Sequence, residues 1–259
     1  MSDRAYIVVG LGELLWDVFP EGKQLGGAPA NFAYMTNLLG DVGVVASRVG
    51  DDALGHEARQ RLDQLGLQTA NVQTDAAHPT GTVNVEVDPR GQPTFEIAQG
   101  VAWDHFAWTP DWKTLAQKAD AVCFGTLAQR CAPSRDTIRA FLAAVRPATT
   151  RIFDVNLRQH FYSAQTVAES AKLADIIKVN HEELPIVAKL LELPFIYDDL
   201  RAAQWLREKF GTKLVCMTRG VRGSLLVGEG EISDHLGYRV HVADTVGAGD
   251  AYTAALVYH

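Results

Sequence analysis

From residue 111 the chain alternates helical and strand patterns with a regularity that few architectures allow. A helical pattern over Trp112–Ala119 precedes a strand at Ala121–Phe124, and Ser134–Val145 precedes Arg151–Asp154. Thr166–Ala174 then precedes Ile176–Val179, and Leu200–Phe210 precedes Leu214–Thr218. Repeated units of this kind predict an α/β fold: a mostly parallel sheet with helices covering both faces.

The first hundred residues begin in the same style and then depart from it. Tyr6–Val9 reads as a buried strand. Pro29–Leu39 reads as a helix, with proline near its first turn and Gly40 past its end. Val42–Val49 is a strand, and Leu54–Leu65 is a helix closed by Gly66. Thr82–Val87 and Thr94–Ile97 follow, joined by Asp88-Pro89-Arg90-Gly91, a hairpin with a turn signal. Val83, Val85 and Val87 alternate with Asn84 and Glu86, so one face is apolar and the other polar. The hairpin breaks the αβ alternation and is expected as a small β appendage on one edge. No linker divides the chain, so residues 1–259 read as one domain. A last helix begins near Ala248 and its pattern persists to Tyr258-His259 with no cap or breaker, so the chain is expected to be cut short.

Composition narrows the partners. The 24 Lys and Arg against 31 Asp and Glu leave a net charge of −7, which argues against a broad grip on nucleic acid. Backbone amides can still bind small anions at any net charge. Cys123, Cys131 and Cys216 are odd in number and show no CxxC spacing, as expected of reduced thiols in the cytoplasm. The apolar run Ala5–Val9 is too short for a secretion signal. Nothing approaches the roughly 20 apolar residues of a membrane span, so no membrane partner is expected.

Familiar nucleotide motifs are missing. Gly10-Leu11-Gly12 follows a strand, but Leu15 stands where the third glycine of a dinucleotide-binding turn belongs. There is no Walker A sequence, no protein-kinase signature and no HExxH. The most informative stretch is Asp244-Thr245-Val246-Gly247-Ala248-Gly249-Asp250, directly before the last helix. Its glycines allow a tight turn whose N–H groups converge, and the helix adds its positive end. Asp250 falls in the first helical turn, where it could accept a proton. A carboxylate beside an anion hole suits phosphoryl transfer; an acidic residue favouring a helix start explains the same residues equally well. Gly26-Gly27-Ala28-Pro29-Ala30-Asn31 is a second glycine pair opening a helix. Asn31 in its first turn could bind a polyol, and Asp17 after the first strand is another candidate, although a solvated loop aspartate is the plainer reading.

Together these two stretches resemble the signatures of the ribokinase-like, or PfkB-type, carbohydrate kinases, and most of all the fructokinase branch. The first runs from Gly26-Gly27-Ala28-Pro29-Ala30-Asn31-Phe32-Ala33 through Gly40 to Gly50. The second is Asp244 to Ala251. The resemblance implies a ribokinase-like three-layer α/β/α sandwich with a small β-sheet lid, formed from parts of about 12–28 and 80–100. It implies transfer of the γ-phosphoryl group of ATP to a primary hydroxyl of a sugar, D-fructose first. Asp250 would be the base, the amides of Gly247, Ala248 and Gly249 the anion hole, and Asp17, Gly27 and Asn31 the sugar ligands.

Further stretches carry the same likeness. Asp154-Val155-Asn156-Leu157-Arg158 resembles the family's DxNxR, which would bring Arg158 to the sugar or the phosphoryl group; an arginine in a surface ion pair is the alternative. Asn180-His181-Glu182-Glu183 resembles its NxxE, with Asn180 near the phosphates and Glu183 organising Mg²⁺ through water; the spacing is also that of a capping box. Thr218-Arg219-Gly220-Val221-Arg222-Gly223 resembles the nucleotide-binding turn, with Thr218, Gly220 and Gly223 on ATP, though a plain turn between strands would look the same. Asp244 and Val246 match a monovalent-cation loop, so K⁺ stays open. Helices that follow the second signature in relatives are expected to be missing, which leaves a non-catalytic sugar-binding remnant as an alternative. Within the family, a 2-keto-3-deoxygluconate or nucleoside kinase is the other. A homodimer through the lid is implied by the likeness alone.

Overall fold

The computed structural model describes residues 5–87, 93–193, 198–242 and 244–258. In chain order the first half contains β1 (Ile7–Leu11), β2 (Leu15–Phe19), β3 (Gly22–Gly26), α1 (Ala28–Leu39), β4 (Val42–Gly50), α2 (Ala53–Gln64), β5 (Val72–Asp75), β6 (Gly81–Val87) and β7 (Pro93–Ile97). The second half contains α3 (Pro110–Lys118), β8 (Ala121–Phe124), α4 (Ala132–Ala144), β9 (Thr150–Asp154), α5 (Ala164–Leu173), β10 (Ile176–Asn180) and α6 (Glu183–Leu190). It continues with α7 (Asp199–Phe210), β11 (Leu214–Thr218), β12 (Ser224–Val227), β13 (Ile232–His235) and α8 (Ala248–Tyr258).

Nine strands form the central sheet in the order β13-β12-β11-β10-β9-β8-β1-β4-β5. All neighbours are parallel except β11–β12 and β12–β13, which close one edge as an antiparallel meander. Adjacent residues of a strand point to opposite faces, and the core divides accordingly. Val9, Val122 and Phe153 pack with Trp112, Phe141 and Val167 from α3, α4 and α5 on one side. Val8, Cys123 and Ile152 pack with Phe32 of α1 and Ala254 of α8 on the other. Leu62 of α2 joins Val45 and Val49 on that second side. The result is the expected three-layer sandwich.

Helix ends follow local chemistry. Gly40 closes α1 in the left-handed region, and Asp52, Thr109, Ser163 and Asp198 cap α2, α3, α5 and α7 with side-chain oxygens.

The appendage is a separate sheet in the order β3-β2-β6-β7. Val83, Val85 and Ile97 are buried beneath it, while Asn84 is exposed, as the alternation requires. The turn residues 88–91 lie outside the described residues. The strands β2 and β3 were not legible individually, because β2 gains its place by pairing in parallel with β6, far along the chain. The short edge strand β5 and the edge strand β13 were likewise unforeseen. No helix among the described residues is long and apolar enough to cross a membrane.

Candidate active site

The carboxyl ends of β1, β8 and β9 open onto a cleft whose other walls are the first turns of α1 and α8. Its lining includes Glu13, Pro29, Phe124, Asn156, Asp250 and Thr253. Ligands of open parallel sheets sit at this end of the strands.

Close backbone approach builds the α1 side. A Cβ at Gly10 would stand 2.1 Å from the Pro29 carbonyl oxygen, so the start of α1 rests directly on β1. Gly27 has φ 110° and would carry a Cβ 2.4 Å from the Glu13 carbonyl oxygen, leaving no room for another residue. Asn31 lies one turn inside α1, and its Nδ2 donates to Asp250 Oδ2 at 2.9 Å. Gly247, at φ 72°, sits over that amide. The two glycine motifs, separate in sequence, therefore meet across a single hydrogen bond.

Burial pushes the Asp250 carboxyl above its usual range; the Asn31 bond opposes this, Asp154 adds to it, and Lys178 and Arg158 oppose it. Beneath Asp250 lies a buried charge network. Lys178 Nζ is 3.0 Å from Asp154 Oδ1, and the Thr253 hydroxyl is 3.1 Å from Asp154 Oδ2 and 2.9 Å from the Gly249 carbonyl. Burial alone would pull the Lys178 ammonium down, but Asp154, Glu183 and Asp250 hold it above its ordinary value. A Cβ on Gly249 would come within 3.2 Å of Lys178 Nζ, so a glycine here gives the lysine space.

Of the three amides assigned to an anion hole, that of Ala248 donates to the Thr245 carbonyl at 3.2 Å. Gly247 and Gly249 belong to the helix start, where N–H groups lack intrahelical acceptors. Arg158 is exposed at the rim, and its charge acts on Glu13, Asp17 and Asp250. Its loop is strained: Asn156 and Gln159 have φ of 42° and 49°. Thr126 Oγ1 donates to Val155 O, and Glu183 Oε1 accepts from Leu157 N, each at 2.9 Å, which fixes that shape. Asp17 sits on β2 with its carboxylate over Gly26, where a Cβ would fall 2.3 Å from Oδ2. Burial raises its carboxyl and Arg158 lowers it.

The second group lies at the ends of β10 and β11. Asn180 pairs in register with Thr218. The capping box forms in full: Asn180 Oδ1 accepts from Glu183 N at 2.8 Å, and Glu183 Oε2 accepts from Asn180 N at 2.9 Å. Glu183 is buried with both oxygens taken by backbone amides, so it braces the Arg158 loop against β10. Gly220 is exposed at φ 57°. Gly223 is required by packing, since a Cβ there would meet the His235 carbonyl oxygen at 1.9 Å. Asp244 and Val246 are both exposed, and Asp244 Oδ1 accepts from Val246 N at 3.0 Å. Among the described residues no three His, Cys, Asp or Glu side chains gather as a metal-ligand set.

Sequence reading overlooked Glu13 and Lys178. Glu13 is buried in the turn between β1 and β2, and burial raises its carboxyl to about 7, eased by backbone N–H groups, its own and that of Ala28, and by Arg158. An acidic residue at the carboxyl end of the first strand was the available sign. For Lys178 it was a lysine inside the apolar strand Ile176-Ile177-Lys178-Val179, a place lysine takes only when paired.

Comparison with known proteins matches residues 9–259 to the pfkB family of carbohydrate kinases. A fructokinase of Klebsiella pneumoniae is 32% identical over 95% of this chain and 82% of its own length. A sugar kinase of Pyrococcus horikoshii, solved in complex with ATP, superposes with a TM-score of 0.79 at 28% identity, covering 97% of this chain and 83% of that one. The fructokinase of Vibrio cholerae with fructose, ADP and calcium ion bound gives 0.81 at 26% identity, covering 98% and 83%. By family match, identity and fold together, the chain belongs to the pfkB family of carbohydrate kinases, and it is a phosphotransferase with an alcohol group as acceptor.

Proposed function

We propose that this kinase phosphorylates a primary hydroxyl of D-fructose from ATP, with Asp250 as the base. The observation that carries the reading is the Asn31–Asp250 hydrogen bond, which sets an acidic side chain of raised pKa between two helix starts. A base shifted toward neutrality takes a hydroxyl proton more readily than an ordinary aspartate. The sugar oxygen gives its proton to Asp250 and attacks the terminal phosphorus in line, and the bond to the departing ADP oxygen breaks. Asp250 then returns the proton to solvent. The Gly247 and Gly249 amides face the charge that builds on the transferring group; Ala248 joins them only by releasing Thr245.

Asp17, Gly27 and Asn31 bind the sugar hydroxyls, and Arg158 closes on the sugar or the phosphoryl group. Asp17 and Asp250 face one arginine, with Glu13 adding negative charge only as the pH passes about 7, a lining that accepts a neutral polyol and opposes a sugar acid. This favours fructose over 2-keto-3-deoxygluconate, and the relatives that are fructokinases point the same way. Asn180, Thr218, Gly220 and Gly223 form the ATP side. Magnesium, when bound, neutralises phosphate charge; with its oxygens already accepting backbone bonds, Glu183 would hold it through water. Asp244 and Val246 are the candidates for K⁺, and the lid's outer face, with Phe95 half exposed, is the candidate dimer surface.

The test is ADP release with Mg-ATP and K⁺ over fructose, ribose, 2-keto-3-deoxygluconate, glucose and adenosine. Turnover on fructose above all others is expected. Preference for the sugar acid or the nucleoside overturns the substrate. Sugar binding by calorimetry without turnover on any substrate favours the non-catalytic remnant.

A further inference from the structure

Away from the cleft, one arginine ties together the root of the small sheet and the loop that carries Arg158. Arg130 follows β8 and is almost wholly buried. Its Nε is 2.7 Å from Asp104 Oδ1, and its Nη2 is 2.8 Å from Asp104 Oδ2 and 2.5 Å from the Ala98 carbonyl. Ala98 is the first residue after β7, where the lid sheet returns to the body, and its N–H donates to the Thr82 carbonyl at 2.9 Å. Asp104 in turn accepts from the N–H groups of Gly100 and Val101, at 3.0 and 3.3 Å. The lid's exit is thus wound around one carboxylate, and that carboxylate is held by Arg130.

The guanidinium also lies over two rings: its central carbon is 3.9 Å from the Trp103 ring centre and 4.7 Å from that of Phe161. Phe161 belongs to the Arg158 loop, and its N–H donates to the Arg158 carbonyl at 3.0 Å. A second thread runs alongside, since Gln159 of the loop donates to the Phe95 carbonyl of β7. Arg130 Nη1 is buried without a hydrogen-bond partner among the described residues. Buried donors are seldom left unpaired, so a group that tolerates one is worth a functional explanation.

We infer that Arg130 is a positioning residue that couples the lid to Arg158: through Asp104 and Ala98 it holds the lid's root, and through Phe161 it sets the loop that presents Arg158 to the cleft. Lysine could replace the charge but neither the two-toothed bond nor the flat face. The inference rests on the reading of Arg158 as a substrate-site arginine.

Truncating Arg130 would strand the buried Asp104 charge and threaten folding, so the loop side carries the test. Phe161→Leu keeps the ion pair and the bulk but removes the ring. It is expected to raise the sugar KM about tenfold, with the ATP KM and Tm nearly unchanged; Phe161→Tyr is expected to restore it. Arg130→Lys is expected to reproduce the Phe161→Leu pattern. In an Arg158→Ala background, Phe161→Leu should cost little more, because the ring acts through that arginine. A Phe161→Leu enzyme with wild-type sugar kinetics overturns the inference, as do losses that multiply independently with those of Arg158→Ala. If Arg158→Ala alone leaves kcat/KM intact, the reading of Arg158 falls first and the inference with it.

Discussion

The two halves of the proposed active site are built differently. On the proposed sugar side, Asn31 holds Asp250 at 2.9 Å, and Asp154 holds Lys178 and Thr253 at 3.0 and 3.1 Å, with Thr253 also tied to the Gly249 carbonyl, between β9, β10, α1 and α8. On the proposed ATP side, Asn180 and Thr218 end β10 and β11, and the turn carrying Gly220 and Gly223 takes its order from the backbone: Arg219 N bonds to Gly223 O at 2.7 Å, and Gly223 N to Gly220 O at 3.0 Å. The side chains around that turn lie open; Val221, Leu236 and Tyr238 are each more than 80% exposed. A charged network inside a low-dielectric wall is organised before substrate arrives and sets the protonation of its members. An open turn offers shape but exerts little control over charge. The proton transfer proposed for Asp250 therefore falls in the first region and the proposed nucleotide contacts in the second.

The largest effect that could break this contrast comes from Asp250→Asn. It is expected to lower kcat by a factor on the order of 10²–10⁴ while leaving sugar affinity nearly unchanged, as steady-state kinetics and calorimetry would show. Near-normal kcat would remove Asp250 from the proton path.

A smaller effect concerns Glu13, whose folded carboxyl titrates near 7 against an ordinary value of 4.5. The folded state holds a proton that the unfolded chain releases across that window. Stability should therefore fall as pH rises from about 4.5 to 7 and level off above, by roughly 3 kcal/mol from this group. Glu13→Gln abolishes the titration. In urea unfolding the variant should gain on the wild type at pH 8 by up to about 3 kcal/mol and gain little at pH 4.5. An equal difference at both pH values would show that Glu13 is not held protonated.

The smallest effect sharpens the other side. Gly220→Ala places a side chain at φ 57°, in ordinary contact with the His181 ring at 3.8 Å, at a cost of about 1–2 kcal/mol. The ATP KM should rise a few-fold while the sugar KM stays put. A change in the sugar KM of equal size would mean that the two regions are not separate.

Much of this was readable beforehand. The strands at Ala121–Phe124 and Leu214–Thr218 lie where the pattern put them, and α4, α5 and α7 differ from it only at their ends, because periodicity and capping are local properties of a few consecutive residues; the short α6 had no place in that pattern. Gly27, Asn31, Gly247 and Asp250 were singled out because tight turns and helix starts restrict residue type locally. The strands β2 and β3 of the small sheet stayed hidden because a strand's identity depends on its partner, and β2 finds its partner in β6. Glu13 and Lys178 were missed for the same reason on a smaller scale. An isolated glutamate or lysine reads as surface, and only the chain's return at Asp154, Arg158 and Asp250 removes water and gives each its neighbours. The amino-acid sequence by itself determined the layers, the helix starts and the glycine turns. Tertiary structure alone decided which charges are buried together, because burial and pairing are made by residues that are neighbours only after folding.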